Sequence, residues 1–554
     1  MRNDMFVAPR WPLFVCVFLV ACGPASPPDE NPARFSASRV SADVQRLASD
    51  EFQGRAPGTE GEKRVLDFLV GQFEDIGLQP ANDGSFLQAV PLVSLTASPD
   101  MTLDIEGPDF SARYAVGSQA MLSTKRVQSE ISLDTSEMMF VGYGIVAPEY
   151  GWDDYAAADV RGKTVVILVN DPGFATADPA LFRGNTMTYY GRWTYKYEEA
   201  ARQGAEAALI IHETDAAGYG WDVVANSWSG ERFDLVRADG KQSRVAVEGW
   251  LSGAAASEIL AAAGLDLESA RQMALARDFQ AVDLGLTAST RLRNEIKTLD
   301  SSNVAGLIVG TKRPGEVIIY MAHWDHLGIK PNLEGDRIFN GAVDNATGTA
   351  AIIELARAFA AMEPAPERSI LFLALTGEES GLLGSAWYAE HPLFPLNRTV
   401  AALNFDSLIT DGATRDITVF GLGSSELEEY LERAAAKQGR VPVNEPTPEK
   451  GYFFRSDHFN LAKVGVPVLY AEAGMDNLQH GREWGVARMQ DYRRDRYHQA
   501  ADEYSADWDW GGVLQDLELY FEIGRELAAE TTFPNWYEHS EFRARRDRSR
   551  SSAD

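Results

Sequence analysis

Several acidic and imidazole side chains stand at or just beyond the ends of apolar runs. His323 and Asp325 follow "GEVIIYMA" in "HWDHLG". Glu378 and Glu379 follow "RSILFLAL" in "TGEES", and Asp406 closes "TVAALNFD". Asp344 lies in "GAVDNATG", ahead of the helical pattern "TGTAAIIELARAFAAM". If these residues converge, one histidine and four carboxylates share one place, and their repulsion raises carboxylate pKa values and costs stability. A bound divalent cation removes that cost. Nitrogen and oxygen donors without sulfur suit zinc, with manganese or cobalt as substitutes. Four carboxylates exceed what one zinc ion needs and fit a two-metal site, its ions about 3.5–4 Å apart with one carboxylate bridging. Such a site needs a second nitrogen donor. His498 in "RYHQAADEY" is the best candidate, with Asp502 and Glu503 near to orient it.

The apolar runs explain why the residues converge. From about residue 301 the chain alternates buried strand, loop and helix: "GEVIIYMA", "RSILFLAL", "TVAALNFD" and "VPVLYAEA". This predicts an α/β fold with a mixed, mostly parallel central sheet flanked by helices. In such a sheet the strand C-termini lie along one edge, where ligands bind. "SADVQRLAS" and "GEKRVLDFLVGQFEDIGL" add amphipathic helices at the front. Residues 38–90 and 286–535 are expected to form this domain. Residues 91–285, with short apolar runs between long Gly- and aromatic-rich loops, read as an inserted β-rich domain. Residues 540–554 are polar and basic and are expected to be disordered.

The 554 residues carry a formal net charge of −30, which excludes a nucleic-acid partner. At the start, "WPLFVCVFLVAC" is too short to span a bilayer and suits a signal-peptide core. Its end, "LVAC", resembles a bacterial lipobox. Residues 1–22 then form a lipoprotein signal peptide, Cys22 is the lipidation site, and 23–37 form a flexible tether. The expected location is the bacterial cell envelope, in the periplasm at the outer membrane, with the lipid as the sole membrane attachment. Cys16 and Cys22 are the only cysteines, so the rest of the chain has no disulfide and no catalytic thiol. There is also no "GxSxG" nucleophile motif.

The motifs "HWDHLG", "GAVDNATG", "TGEESGLLGS", "NFD" and "YHQAADEY", in that order, resemble the zinc-dependent M28 peptidases, aminopeptidases of the co-catalytic two-zinc type. "ASDEFQGRAPGTEGE" resembles the start of bacterial members, and "FVGYGIVAPEYGWDDYAAADVRGKTVVILV" is similar to a protease-associated domain. The resemblance implies a zinc exopeptidase fold and two zinc ions per chain. His323 and Asp406 would hold one ion, Glu379 and His498 the other, and Asp344 would bridge them. Asp325 would hydrogen-bond the far nitrogen of His323. Glu378 would be the general base, taking a proton from the attacking water and passing it to the leaving amine. The Asp344–Asn345 peptide would be cis. "RSDHFNLAKVGVPVLY" matches a segment near the substrate, which offers Tyr452, Phe453, Asp457 and His458 as substrate contacts. His326 reads as local loop structure, and His212, His391, His480 and His539 match no ligand motif. The implied activity is release of N-terminal residues from peptides. Alternatives are a carboxypeptidase or dipeptidase, a glutaminyl-peptide cyclotransferase, and last a non-catalytic binding protein.

Overall fold

The computed structural model describes Met1 and residues 34–98, 100–331 and 333–551. The apolar signal core, Cys22 and all of the tether up to residue 33 lie outside the described residues. Among the described residues, no helix is long and apolar enough to cross a membrane.

The continuous apolar runs form strands whose residues are buried on both faces. Arg313–His323 lies between Arg368–Leu375 and Thr399–Asn404, parallel to both. Thr399–Asn404 pairs in parallel with Val468–Ala473. Antiparallel strands flank this centre: Val282–Ile308 on Arg368–Leu375, and Asp416–Val419 on Val468–Ala473. The sheet is therefore mixed with a parallel centre, as the alternating pattern predicts.

The strand period of two divides each run between two cores. Ile318, Tyr320 and Ala322 face the larger core, with helices Ala37–Leu47, Thr347–Ala360 and Gly511–Ala529. Val317, Ile319 and Met321 face the opposite core, which includes Tyr388, Leu461 and Phe542.

Residues 91–285 do not separate cleanly from the rest. The 27-residue strand Val282–Ile308 runs through both sheets. Its first part pairs with Glu130–Phe140, and Asn294 to Val304 pair with Leu87–Ala97. The expected boundary at 285/286 thus falls inside one strand. Glu231–Leu235, expected in the insert, extends the sheet described above by pairing with Leu87–Ala97. The insert is also less purely β than expected. Its strands Glu130–Phe140, Thr164–Leu168, Ala207–Ile211 and Val247–Leu251 run parallel, helix Trp193–Arg202 connects the second to the third, and helix Gly253–Ala262 follows the fourth.

Both expected disordered ends need correction. Phe35, assigned to the tether, is buried and packs edge-on against Phe521 at 6.0 Å. The tail expected to be disordered forms the helix Arg543–Ser551. Its Arg546 is buried and donates to the carbonyls of Thr399 at 2.9 Å and Leu396 at 3.2 Å. Arg550 sits over the Phe533 ring at 3.6 Å. A basic composition reads as solvated, but here guanidinium donors satisfy strand-end carbonyls and aromatic faces.

Candidate metal centre

Most site residues are placed by strand ends, Asp344 and His498 by loops next to helices. His323 is the last residue of its strand. Glu378 and Glu379 follow Leu375 after a turn in which Gly377 takes φ 64°. Asp406 lies just beyond Asn404. Asp344 sits in the irregular turn Ala342–Ala346 that feeds helix Thr347–Ala360, and the Asp344–Asn345 peptide is cis. The Asn345 amide ties this turn to the Asp406 loop. Its oxygen accepts from Gly348 N at 2.9 Å and Ser407 N at 3.1 Å, and its Nδ2 donates to the Phe405 carbonyl.

The expected ligands converge. His323 Nε2 lies 3.3 Å from Asp344 Oδ1 and 3.3 Å from Asp406 Oδ1. His498 Nε2 lies 3.2 Å from Asp344 Oδ2 and 3.1 Å from Glu379 Oε2. Asp344 therefore turns one oxygen to each imidazole, as a bridging carboxylate does. The spacing fits metal binding: donors about 2.0–2.1 Å from a tetrahedral zinc ion lie about 3.3 Å from each other. The groups His323–Asp344–Asp406 and His326–Asp344–Glu379 each bring their donor atoms within 4.8 Å. The donor chemistry, two nitrogen–carboxylate sets sharing one aspartate, fits two divalent ions.

Three sequence readings change here. Asp325 meets His323 through its backbone carbonyl, 3.1 Å from Nδ1. Its carboxylate is 3.8 Å away and instead accepts from Glu378 N at 3.1 Å, because the loop turns the side chain toward the neighbouring strand end. Asp502 orients Asp344 rather than His498, accepting from Asp344 N at 3.0 Å and Val343 N at 3.1 Å. Finally, Phe453, Asp457 and His458 are buried behind the cavity wall rather than facing it. Asp457 accepts from Ser385 Oγ at 2.6 Å, and His458 packs on Phe453 and Tyr470. Of the four expected substrate contacts, only Tyr452 lines the cavity.

Two residues were missed. His326, read as loop structure, is buried with Nδ1 2.6 Å from Glu379 Oε1, both atoms lacking a hydrogen-bond partner. Tyr497 stacks on His498 with ring centroids 4.0 Å apart. The residue as a whole is 43% exposed, but its hydroxyl end is enclosed, and that burial, then the charges of Asp344 and Glu379, raises its pKa above the usual tyrosine range. The sequence signal for Tyr497 was its place next to His498, and for His326 its place within "HWDHLG".

The two adjacent glutamates are driven apart in acidity. Burial pushes Glu378 well above the usual carboxylate range, outweighing the opposite pull of His323, and Asp406 adds to the rise. Burial also raises Glu379, but His498 and His326 outweigh it and bring it down to about 2. Burial would lower both His323 and His498, yet the surrounding carboxylates outweigh it and raise both well above 6.5. The cluster thus draws in positive charge. It opens into a cavity of about 540 Å³ lined by Asp344, Glu378, Asp406, Tyr452, Tyr470 and Tyr497.

Residues 303–521 match the family model of Peptidase family M28. Aminopeptidase NAALADL1 of Mus musculus is 33% identical over 135 residues, 24% of this chain and 17% of that protein. A "Probable zinc metalloprotease" of Pyricularia oryzae is 34% identical over 226 residues, 39% of this chain and 40% of that protein. The chain thus matches less than half the length of these curated relatives. Among solved structures, an aminopeptidase from Aneurinibacillus sp. strain AM-1 is similar with a TM-score of 0.50 at 19% identity. The match covers 90% of this chain and 96% of that one. This likeness bears on the fold alone and agrees with the sheet described above.

Proposed function

We propose that this chain is a zinc-dependent M28 exopeptidase, an aminopeptidase that removes N-terminal residues from peptides. The observation that carries the reading is the Asp344 carboxylate, which turns one oxygen to His323 and the other to His498. His323, Asp406 and Asp344 would hold one zinc ion, and His498, Glu379 and Asp344 the other. Bound zinc supplies Lewis-acid polarisation of the scissile carbonyl and lowers the pKa of water. Glu378 opens onto the same cavity, takes a proton from the attacking water and delivers it to the leaving amine. The Tyr497 hydroxyl, kept protonated, donates to the carbonyl oxygen as charge builds there.

The same reading makes the insert a protease-associated domain and Cys22 a lipid attachment point in the cell envelope. A Cys22→Ala chain released from the membrane fraction supports the anchor; unchanged partitioning rejects it. The main test combines metal content per chain with hydrolysis of amino-acid anilides and free dipeptides, with and without chelator. About two zinc ions per chain and chelator-sensitive release of N-terminal residues are expected. Tight zinc binding without peptide cleavage overturns the proposal.

A further inference from the structure

The cavity beside the metal centre holds cations that the chemistry above does not use. Tyr452, Arg455 and Arg493 line it together with Asp344, Glu378 and Asp406. Arg455 and Arg493 both lie over the Tyr452 ring, 4.9 Å and 4.8 Å from its centroid. Arg455 donates through Nη2 to the Lys450 carbonyl at 2.9 Å, while its Nε is buried without a partner. Behind it stands Arg192 from the inserted domain. Burial, and then the charge of Arg455, lowers this guanidinium to about 10, and its Nε is also buried without a partner. Tyr219 of the insert packs on Arg455 at 5.8 Å.

Among the described residues, Arg192, Lys450, Arg455 and Arg493 make no ion pair within 4.0 Å. That is unexpected in a chain with 81 acidic and 51 basic side chains. Like charges gathered without counter-ions repel one another, and an aromatic face offsets only part of that. The nearby carboxyls do not complete the balance. Glu472 lines the cavity and Glu445 lies close by, but among the described residues neither carboxylate comes within 4.0 Å of a guanidinium; burial raises both, Glu445 to about 7, against the opposite pull of Arg493 on each and of Arg455 on Glu445.

We infer that this cavity recognises a carboxylate of the substrate, received by the guanidinium groups of Arg455 and Arg493. The carboxylate is either an acidic side chain next to the scissile bond or the free C-terminal carboxylate of a short peptide. A planar guanidinium offers paired donors matched to a carboxylate, which an amide isostere cannot use as well. The inference rests on the peptidase reading.

The test uses the zinc-loaded full chain and compares kcat/KM for short peptides in matched pairs. One arm sets Glu against Gln on either side of the scissile bond, and the other sets free against amidated C-termini. At least one arm is expected to favour the carboxylate by about tenfold. Arg493→Gln should bring that ratio close to one and Arg493→Lys should restore part of it. The ratio is internal, so a general loss of activity cancels. Cleavage of amide and carboxylate partners at equal rates in both arms overturns the inference and leaves the peptidase reading intact. A preference that survives Arg493→Gln and Arg455→Met overturns the assignment to these arginines. Failure to cleave any peptide in the panel overturns the peptidase reading itself.

Discussion

Two regions of this molecule bury several charges, and they handle them in opposite ways. In the insert, Lys196, Asp154 and Asp171 are all buried. Lys196 Nζ donates to the Tyr143 carbonyl at 2.6 Å. Asp154 accepts from Ile145 N at 2.9 Å and Trp152 Nε1 at 2.8 Å, and Asp171 accepts from Gly173 N and Thr188 Oγ1. Each carboxylate oxygen has a donor, and a lysine charge lies near. At the sheet edge the balance is different. Asp344, Glu378, Glu379 and Asp406 meet three imidazoles, those of His323, His326 and His498, and the buried cation beneath them, Arg55, spends its donors on backbone carbonyls. The insert supplies its own counter-charge and backbone donors, as structural clusters do. The sheet edge leaves its charge to be met from outside, as binding sites do.

The largest expected effect separates the two glutamates. Glu378→Gln should keep both metal ions and lose about 10³-fold or more in kcat, since general acid–base transfer is worth roughly 10²–10⁴. Glu379→Gln should instead lower metal content. Metal analysis beside steady-state kinetics checks both; an active Glu378→Gln enzyme would remove the assigned base.

Lys196→Met probes the other half of the comparison. It removes the bond to the Tyr143 carbonyl and the cation that lowers both buried carboxyls, and because burial brings Lys196 itself down to about 7 it should cost about 1–3 kcal/mol of stability. Zinc content should not change, because the cluster is self-contained. Calorimetry of the metal-loaded chain decides, and a variant as stable as the parent would show that the lysine is dispensable.

Tyr497→Phe should lower kcat by about 10- to 100-fold with little change in KM, the pattern of a group acting in the transition state. A change in KM alone would mean that the ring only packs on His498.

The smallest effect concerns how the insert docks. Glu198 in the insert helix pairs with Lys463 of the domain that carries the candidate metal centre at 2.7 Å. Burial raises this carboxyl, but Lys463 and Arg244 outweigh it and bring it down to about 2 from 4.5. A depressed folded-state pKa gives stability that is complete above pH 4.5 and lost as pH falls toward 2. Glu198→Gln should therefore cost about 1–2 kcal/mol at neutral pH. Unfolding midpoints measured across pH should show that gap closing between 4.5 and 2. A gap that stays constant through this range would contradict the ion-pair origin.

Much of the half with the parallel sheet was legible from the chain alone. Uninterrupted apolar runs such as Arg368–Leu375 can only be strands buried on both faces, and parallel strands bring their C-terminal residues to one edge. That is why His323, Asp344, Glu379 and Asp406 could be grouped before any coordinates, although they are far apart in sequence. Periodicity also gave the helix Thr347–Ala360. Whatever depended on side-chain direction at a loop was left to the tertiary structure. The chain does not say that the Asp325 carboxylate turns to Glu378 N, that Asp502 braces Asp344, or that His326 faces Glu379. Loop torsions are set by what packs around them, not by local pattern. The same holds for one strand shared by both sheets and for a basic tail that folds onto strand-end carbonyls. The residue types at the strand ends and in two polar loops determined that nitrogen and carboxylate donors fit for a divalent cation are gathered in one place. Packing of the insert and the late helices around it decided what surrounds that place, including the unpaired arginines over Tyr452. Contacts between distant segments have no period for a sequence to record.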